Sequence, residues 1–458
     1  MHSSDLLDSP RKLKILMISF ACSPRRGGEH LLGWEWARGM ADRGHDVLVL
    51  TRAKYIPESE GKAVPGLRLI PVPDKNFIFL RSWGEPGRQI FYHIWNRRAE
   101  KFAKTLKESF QPDIVHQCTF HTARRPCLPA LWGDVPVIWG PVAGFESVPL
   151  ALVPTMGWSG AVELVRMAAT WVQIHNPIIR RCLKEASHVV VSNKDTLRVL
   201  HKRVPRDYEL LPANAVVPQC APPYELPTTD LAIVAVGLLV PMRPFSLLLK
   251  AVAGMQPEQR DRISLTFIGQ GPMLPRLQRL AIRLGLKRKV RFLGQISREE
   301  TLAEMQRAHL LAFLSLRDSG SSSVAEAMTL GLPVLSFNLA GPGAMLSTGG
   351  GLIVEARRPA QVLADIRETL ARVLEQPSLL AEASQQGRRA AADLFDWDSR
   401  LERMEGIYRS AINSHQSSVK RNVSTASVYM SLKHSLAAAS CAESCALIEM
   451  YFGRAVLW

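Results

Sequence analysis

The sequence predicts an α/β protein of two doubly wound parallel-sheet domains facing a central cleft. Short apolar runs alternate with helical patterns along most of the chain, the rhythm of parallel strands joined by crossover helices. That rhythm occurs twice. Between the two series, Pro212, Pro218, Pro222, Pro223 and Pro227 crowd a stretch without periodicity, which reads as a linker. At 458 residues the chain is long enough for two sizeable cores.

In the first series, strands are expected at 15–20, 46–50, 67–72, 112–116, 135–139 and 188–192. Helices are expected at 29–44, 87–110 and 163–186. Residues 12–21 combine a basic flank with a short apolar core, as a signal peptide does. Cys22-Ser23-Pro24-Arg25-Arg26 follows at once, a poor cleavage site and a good loop, so the run is read as the first buried strand. The second series places strands at 232–236, 264–268, 290–292, 310–314, 333–337 and 352–354. Helices are expected at 273–284, 299–308, 357–392 and 398–412. The expected domains are 13–211 and 231–397, both Rossmann-like, joined by a linker at 212–230 and closed by the helix at 398–412. The Ser- and Ala-rich tail, 413–458, is expected to be disordered, the alternative being an appended weak helix. Two such halves put a site in the cleft between them.

Composition narrows the partners. A net charge of +16 implies something acidic: nucleotide phosphates, an anionic membrane face or nucleic acid. Motifs for nucleic-acid recognition are lacking, so that partner is set aside. The seven cysteines are scattered without a C-x-x-C pair, which suits reduced buried thiols and a cytoplasmic setting. No apolar run reaches the roughly 18–20 residues of a transmembrane helix. Residues 88–107 intersperse Phe91, Tyr92, Ile94, Trp95 and Phe102 with Arg88, Arg97, Arg98, Lys101, Lys104 and Lys107. Such a helix either lies peripherally on an anionic membrane or packs into the core with a solvated basic face; the second is preferred.

The chemistry concentrates at Asp318-Ser319-Gly320-Ser321-Ser322-Ser323-Val324-Ala325-Glu326. A small polar turn runs there into a helix whose free N–H groups suit a phosphate. Carboxylates at Asp318 and Glu326 can accept hydrogen bonds from sugar or ribose hydroxyls. Upstream, Val236-Gly237-Leu238-Leu239-Val240-Pro241-Met242-Arg243-Pro244 leaves a strand and brings a cation. Ile268-Gly269-Gln270-Gly271-Pro272, Phe292-Leu293-Gly294, Arg26-Gly27-Gly28-Glu29-His30 and the rigid Trp139-to-Glu146 loop are further turns after strands.

These motifs, in this order, resemble those of the family 4 or group 1 glycosyltransferases, whose fold is the two-domain GT-B, over residues 13–412. The family's E-x7-E stands here as Asp318-x7-Glu326, with the first acid one methylene shorter. The resemblance implies that Glu326 binds the nucleotide ribose and Asp318 the transferred sugar. It implies that Arg243 and the turn Gly320, Ser321, Ser322 and Ser323 hold the donor diphosphate. Where the family has a second cation, this chain has Leu238, and Pro244 replaces the usual glycine. Pro112-Asp113-Ile114-Val115-His116 matches a family strand whose later histidine is Cys118 here, so His116 or His121 would contact the sugar. Gly27, Gly28, Gly237, Gly269 and Gly271 complete the expected donor-binding set. The catalytic candidates are Asp318, Glu326, His116 and His121.

The resemblance implies a retaining, metal-independent enzyme that moves a sugar from a nucleotide-diphosphate sugar to a glycan or lipid-linked acceptor, with no further cofactor. Its usual setting is surface polysaccharide or glycolipid assembly at the cytoplasmic face of a membrane. Asp396-Trp397-Asp398 mimics a metal-binding D-x-D, but Asp398 reads better as a helix cap. A weakly active or non-catalytic GT-B protein that binds nucleotide or glycan is the alternative, motivated by Leu238, Pro244 and Cys118. A dinucleotide oxidoreductase is a distant third, since no G-x-G-x-x-G follows the first strand.

Overall fold

The structure is a computed structural model describing residues 11–26, 28–56, 63–74, 77–80, 84–120, 122–213, 216 and 223–438, with backbone alone at 84–86 and 418–438. The first domain opens with β1 (Lys14–Ile18), α1 (Glu29–Asp42), β2 (Asp46–Arg52), β3 (Leu67–Val72), α2 (Gly84–Phe110) and β4 (Ile114–Gln117). It continues with β5 (Val137–Val142), a 3-10 segment Leu150–Met156, α3 (Trp158–Ile174), α4 (Pro177–Glu185), β6 (His188–Val191), α5 (Lys194–Arg203) and β7 (Glu209–Leu210). These strands form one parallel sheet in the order β3-β2-β1-β4-β5-β6-β7.

The second domain runs through β8 (Leu231–Val236), α6 (Phe245–Ala253), α7 (Pro257–Asp261), β9 (Ile263–Ile268), α8 (Leu274–Arg283) and β10 (Val290–Gly294). Then come α9 (Arg298–Gln306), β11 (Leu310–Phe313), α10 (Ser322–Leu330), β12 (Val334–Phe337), α11 (Ala340–Leu346), β13 (Gly351–Val354), α12 (Pro359–Glu375), α13 (Ser378–Phe395) and α14 (Trp397–Ala438). Its parallel sheet has the order β10-β9-β8-β11-β12-β13. In each sheet the order reverses beside its first strand, at β1/β4 and β8/β11. Ligands of open α/β sheets bind beyond the carboxyl ends of strands at such points.

The central strands read as unbroken apolar runs because helices cover both faces. In β1, Ile15 to Ile18 are fully buried, as are all four residues of β11 and of β12. The cores nevertheless cross the domain boundary. Val148, Leu152, Val153 and Met156 leave the first domain to join the core of the second, with Leu247 and Val362. In return, α14 carries Leu401, Met404, Ile407 and Tyr408 into the first domain, against Trp36, Met40 and Ile138.

Boundaries differ from expectation where capping chemistry interrupts a periodic pattern. The helix expected over 163–186 is two helices. Asn176 caps α4, accepting from the N–H groups of Ile178 (2.9 Å) and Ile179 (3.4 Å), and Pro177 takes the first helical position, where its missing N–H costs nothing. The pattern over 357–392 also divides, α12 ending at Glu375 and α13 starting after Pro377 without a side-chain cap. Asp396, not Asp398, caps the last helix: its Oδ2 accepts from the Ser399 N–H at 2.9 Å. That helix passes 412 and continues as helical backbone to Ala438, while 439–458 lie outside the described residues. The short α5 and β7 were not anticipated.

The α1–α14 contact depends on a missing side chain. A Cβ on Gly39 would fall 2.4 Å from Leu401 Cδ1. Gly39→Val is therefore expected to destabilise the fold by about 1–3 kcal/mol through overpacking. Urea midpoints check this, and adding Leu401→Ala should recover part of the loss.

Candidate functional site

The site begins where β11 ends. Phe313 leads into a buried loop that reaches Asp318, and Ser321 then caps α10 by accepting from the Val324 N–H at 3.3 Å. Asp318 Oδ1 accepts from the Gly320 N–H (3.3 Å) and Oδ2 from Arg243 Nη2 (3.2 Å). The Arg243 guanidinium stacks over the Phe313 ring, 4.8 Å from its centroid. Gly237 makes the room: a Cβ there would lie 1.8 Å from Arg243 Nη1, and its φ of +125° disfavours other residues. Burial pushes the Asp318 carboxyl above the ordinary range, and the Arg243 charge pulls it partly back. On the next turns of α10, Glu326 Oε1 receives Arg298 Nε at 3.1 Å and Nη2 at 3.0 Å. Burial raises this carboxyl too, against the Arg298 charge.

The first domain closes over this turn. Gly28, with φ +64°, brings its backbone against α10, so that a Cβ on it would be 3.9 Å from Ser322 Oγ. Between the two domains lies a cavity of about 330 Å³ lined by residues that include Gly28, Glu29, Thr122, Arg124, Gly320 and Ser322. Glu29 is held by the Phe120 N–H. Two polar contacts span the domains nearby. The Ala340 N–H donates to Asp195 Oδ2 at 3.1 Å, and Arg317 Nε lies 3.4 Å from Glu163 Oε1.

A cluster of buried charge backs the first-domain wall. Glu146 accepts from Asn193 Nδ2 (2.6 Å), Thr196 Oγ1 (3.2 Å) and the Gly144 N–H (3.1 Å). Arg166 Nη2 donates to Glu163 Oε1 at 2.5 Å and to the Glu146 carbonyl at 3.0 Å. Burial, together with the charges of Arg166 and Arg317, pulls the Arg124 guanidinium below its usual range. Arg124, Arg298 and Arg317 were absent from the sequence reading. Arg124 and Arg298 come from elements distant in sequence from Asp318, and Arg317, although next to Asp318, is marked by no local motif.

Not every expected residue faces the cleft. His116 is fully buried in β4, with Nε2 2.7 Å from the Gly140 carbonyl and Nδ1 2.6 Å from the Tyr408 hydroxyl. Burial lowers its pKa to about 4, so the neutral ring donates from Nε2 and accepts at Nδ1. Both nitrogens are thus occupied in joining α14 to the first sheet, and His116 is structural rather than catalytic. His121 and Gly27 lie outside the described residues. Gly269 and Gly271 are points of close backbone approach: Cβ atoms on them would fall 2.1 Å from the Gly237 carbonyl and 2.3 Å from that of Leu239. They support the Arg243 loop from behind. Ser321 and Ser322 stand at the α10 N-terminus as expected, with Ser323 one position further on. In α2, Phe91, Tyr92 and Trp95 point into the first-domain core, so this helix follows the core reading.

Comparison with known proteins agrees with this geometry. Residues 32–213 match the family described as "Glycosyl transferase 4-like domain", and residues 220–390 that described as "Glycosyl transferases group 1". The D-inositol 3-phosphate glycosyltransferase of Streptomyces scabiei is 29% identical over 272 residues, 56% of this chain and 57% of that protein. That of Streptomyces avermitilis is 29% identical over 206 residues, 43% of each chain. The chain thus spans about half the length of these curated relatives. The MMP alpha-(1->4)-mannosyltransferase of Mycolicibacterium hassiacum is 24% identical over 426 residues, 87% of this chain and 98% of that one. Among solved structures, sucrose-phosphate synthase from Thermosynechococcus elongatus superposes with a TM-score of 0.61 at 17% identity, covering 88% of this chain and all (100%) of that one. The lipopolysaccharide glycosyltransferase WaaG gives 0.56 at 19% (86% and 99% covered), and Anabaena HepE in complex with UDP gives 0.59 at 15% (87% and 100%). These likenesses show the two-domain GT-B fold.

The His116 environment makes a pH prediction. The folded chain keeps the ring neutral down to about 4, whereas an unfolded chain takes up a proton near 6.5. Stability from this group is full above about 6.5, falls as the pH drops below that value and levels off near 4. Urea titrations across this window should show a shallower acid-side loss in His116→Gln.

Proposed function

This chain belongs to the group 1 glycosyltransferases, and from that premise we propose that it moves a sugar from a nucleotide-diphosphate sugar to a hydroxyl of a glycan or lipid-linked acceptor, with retention at the anomeric carbon. The observation that carries the reading is the convergence of Arg243, Asp318, the α10 N-terminus and Glu326 at the carboxyl end of the second sheet, facing Gly28 across the cavity.

In this reading the donor diphosphate lies against the N–H groups at 320–323 and the Arg243 guanidinium. Glu326 accepts hydrogen bonds from the ribose hydroxyls, and Asp318 lies beside the sugar. As the bond from the anomeric carbon to the diphosphate oxygen breaks, negative charge builds on the leaving phosphate. Preorganised N–H dipoles and a cation in a water-poor cleft stabilise that charge strongly. The acceptor hydroxyl attacks from the face the diphosphate leaves and passes its proton to it. The protein positions both partners and needs neither a dedicated base nor a metal. UDP is the first nucleotide to try, since HepE was solved with UDP and with UDP-glucose. The lipopolysaccharide, inositol-phosphate and mannosyl relatives point to polysaccharide or glycolipid assembly, and the buried free cysteines suit a cytoplasmic site of action.

A non-catalytic, nucleotide-binding reading keeps one supporting observation. Leu238, where the family carries a second cation, is exposed in the loop before Arg243. Assay of the purified chain against a panel of nucleotide sugars separates the two. Transfer is expected, and Arg243→Ala should lower turnover by about 10²–10³; undiminished turnover in Glu326→Ala would overturn the site assignment. Leu238→Arg should tighten donor binding in a calorimetric titration. No tightening, together with no transfer from any donor, would favour the binding protein.

A further inference from the structure

Helix α3 is built inside out. Its buried face holds Gly160, Glu163, Thr170 and Ile174, with Glu163 only 3% exposed and bound by Arg166 and Arg317. Its solvent face carries Trp158 (86% exposed), Val165 (70%), Val172 (62%) and Trp171 (61%), with Val162 and Leu164 between them. The exposed positions from Trp158 to Val172 include no charged residue. A helix that met only water would show the reverse arrangement. An apolar strip of this extent, with its tryptophans about 20 Å apart at 1.5 Å per residue, marks a surface that is covered in use.

We propose that this face seats the protein on an anionic lipid bilayer, with α3 lying in the headgroup layer parallel to the membrane plane. Tryptophan favours that boundary, where its ring is half in hydrocarbon and its N–H stays hydrated. The helix that follows supplies charge of the matching sign: α4 exposes Arg180, Arg181 and Lys184 beside Ile178. Basic side chains flanking an apolar strip are the pattern of interfacial helices on anionic lipid. A second copy of this chain fits less well, because a two-fold contact would bring the same basic side chains together. Among the described residues no helix is long and apolar enough to cross a membrane, so the contact is a surface one.

The inner face of α3 gives the seat a purpose. Glu163 reaches Arg317, the residue before Asp318, so one helix has lipid on its outside and the cleft wall on its inside. An apolar groove of about 240 Å³ between α3 and α5 shares Trp171 with the outer strip and includes Lys202 and Arg203 in its lining. The seat thereby narrows the acceptor to one carried by lipid, and this part alone rests on the proposed transferase activity.

Vesicle binding tests the seat without any turnover, so its failure and that of the transferase reading are distinguishable. The full chain is sedimented with vesicles of phosphatidylcholine, with or without phosphatidylglycerol. Binding to the anionic vesicles is expected, weakening with salt. The Val165→Ser/Trp171→Ser double variant should lose about tenfold or more of the bound fraction, and Arg180→Ser/Arg181→Ser should lose the salt-sensitive part. Both pairs are exposed, so unchanged thermal melting is expected, and Val162→Ser serves as a second apolar variant should the double fail to fold. Absence of binding by the unaltered chain would overturn the proposal, as would equal binding by the apolar variants. So would a concentration-dependent dimer in light scattering that the apolar variants abolish while vesicles are ignored.

Discussion

Each half of this molecule completes the hydrophobic core of the other, and the cleft exists because of that exchange. Leu152, Val153 and Met156 of the 3-10 segment are buried in the core of the second domain, and Leu401, Met404, Ile407 and Tyr408 of α14 in that of the first. Removing apolar area from water is the dominant favourable term in folding, and it has no preferred direction. It therefore holds the two sheets together without aligning them. Alignment comes from directional contacts laid over the apolar seam: Asp195 to the Ala340 N–H, Glu163 to Arg317, and Tyr408 to His116.

Within that frame, the carboxyl end of the second sheet gathers charge that a stability-driven fold would leave at the surface. Asp318 and Arg243 are mostly buried together, and Glu326 lies under Arg298. A buried ion pair gains little over well-packed apolar side chains, because desolvation offsets the attraction. Gathering such pairs around an open helix N-terminus makes sense if a charged, hydroxyl-rich ligand completes their hydrogen bonds. Burial raises the carboxyl pKa of both Asp318 and Glu326, against the pull of their arginines.

The architecture was largely legible in the sequence because a parallel sheet covered on both faces writes its strands as uninterrupted apolar runs. Helix breaks were less legible, since the periodic pattern carries straight across Asn176-Pro177 and Gln376-Pro377. Asp318, Glu326 and Arg243 were readable from local motifs beside strand ends. Arg298, Arg317 and Glu163 were not, because only the tertiary fold pairs Arg298 with Glu326 and Arg317 with Glu163. His116 shows the opposite error. Its place at the end of a strand suited a cleft residue, yet Tyr408, 292 positions away in sequence, claims it for the interior. For α3, the periodic pattern predicted a helix but did not say which face turned inward.

That inversion reaches beyond binding, to how the chain tolerates change. On most surface helices, outward positions accept charged or polar replacements freely, and the inward apolar ones are sensitive. On α3 the polar ties to the rest of the molecule are Glu163 to Arg317 and Arg166 to the Glu146 carbonyl, beside the buried Ile174, while the bulky outward apolar residues stay exposed. A solubilising redesign could thus strip the hydrophobic strip at little cost to the fold. Replacing Glu163 with an apolar residue, conservative by the usual logic of buried positions, would leave two arginines without their shared counter-charge at the edge of the cleft.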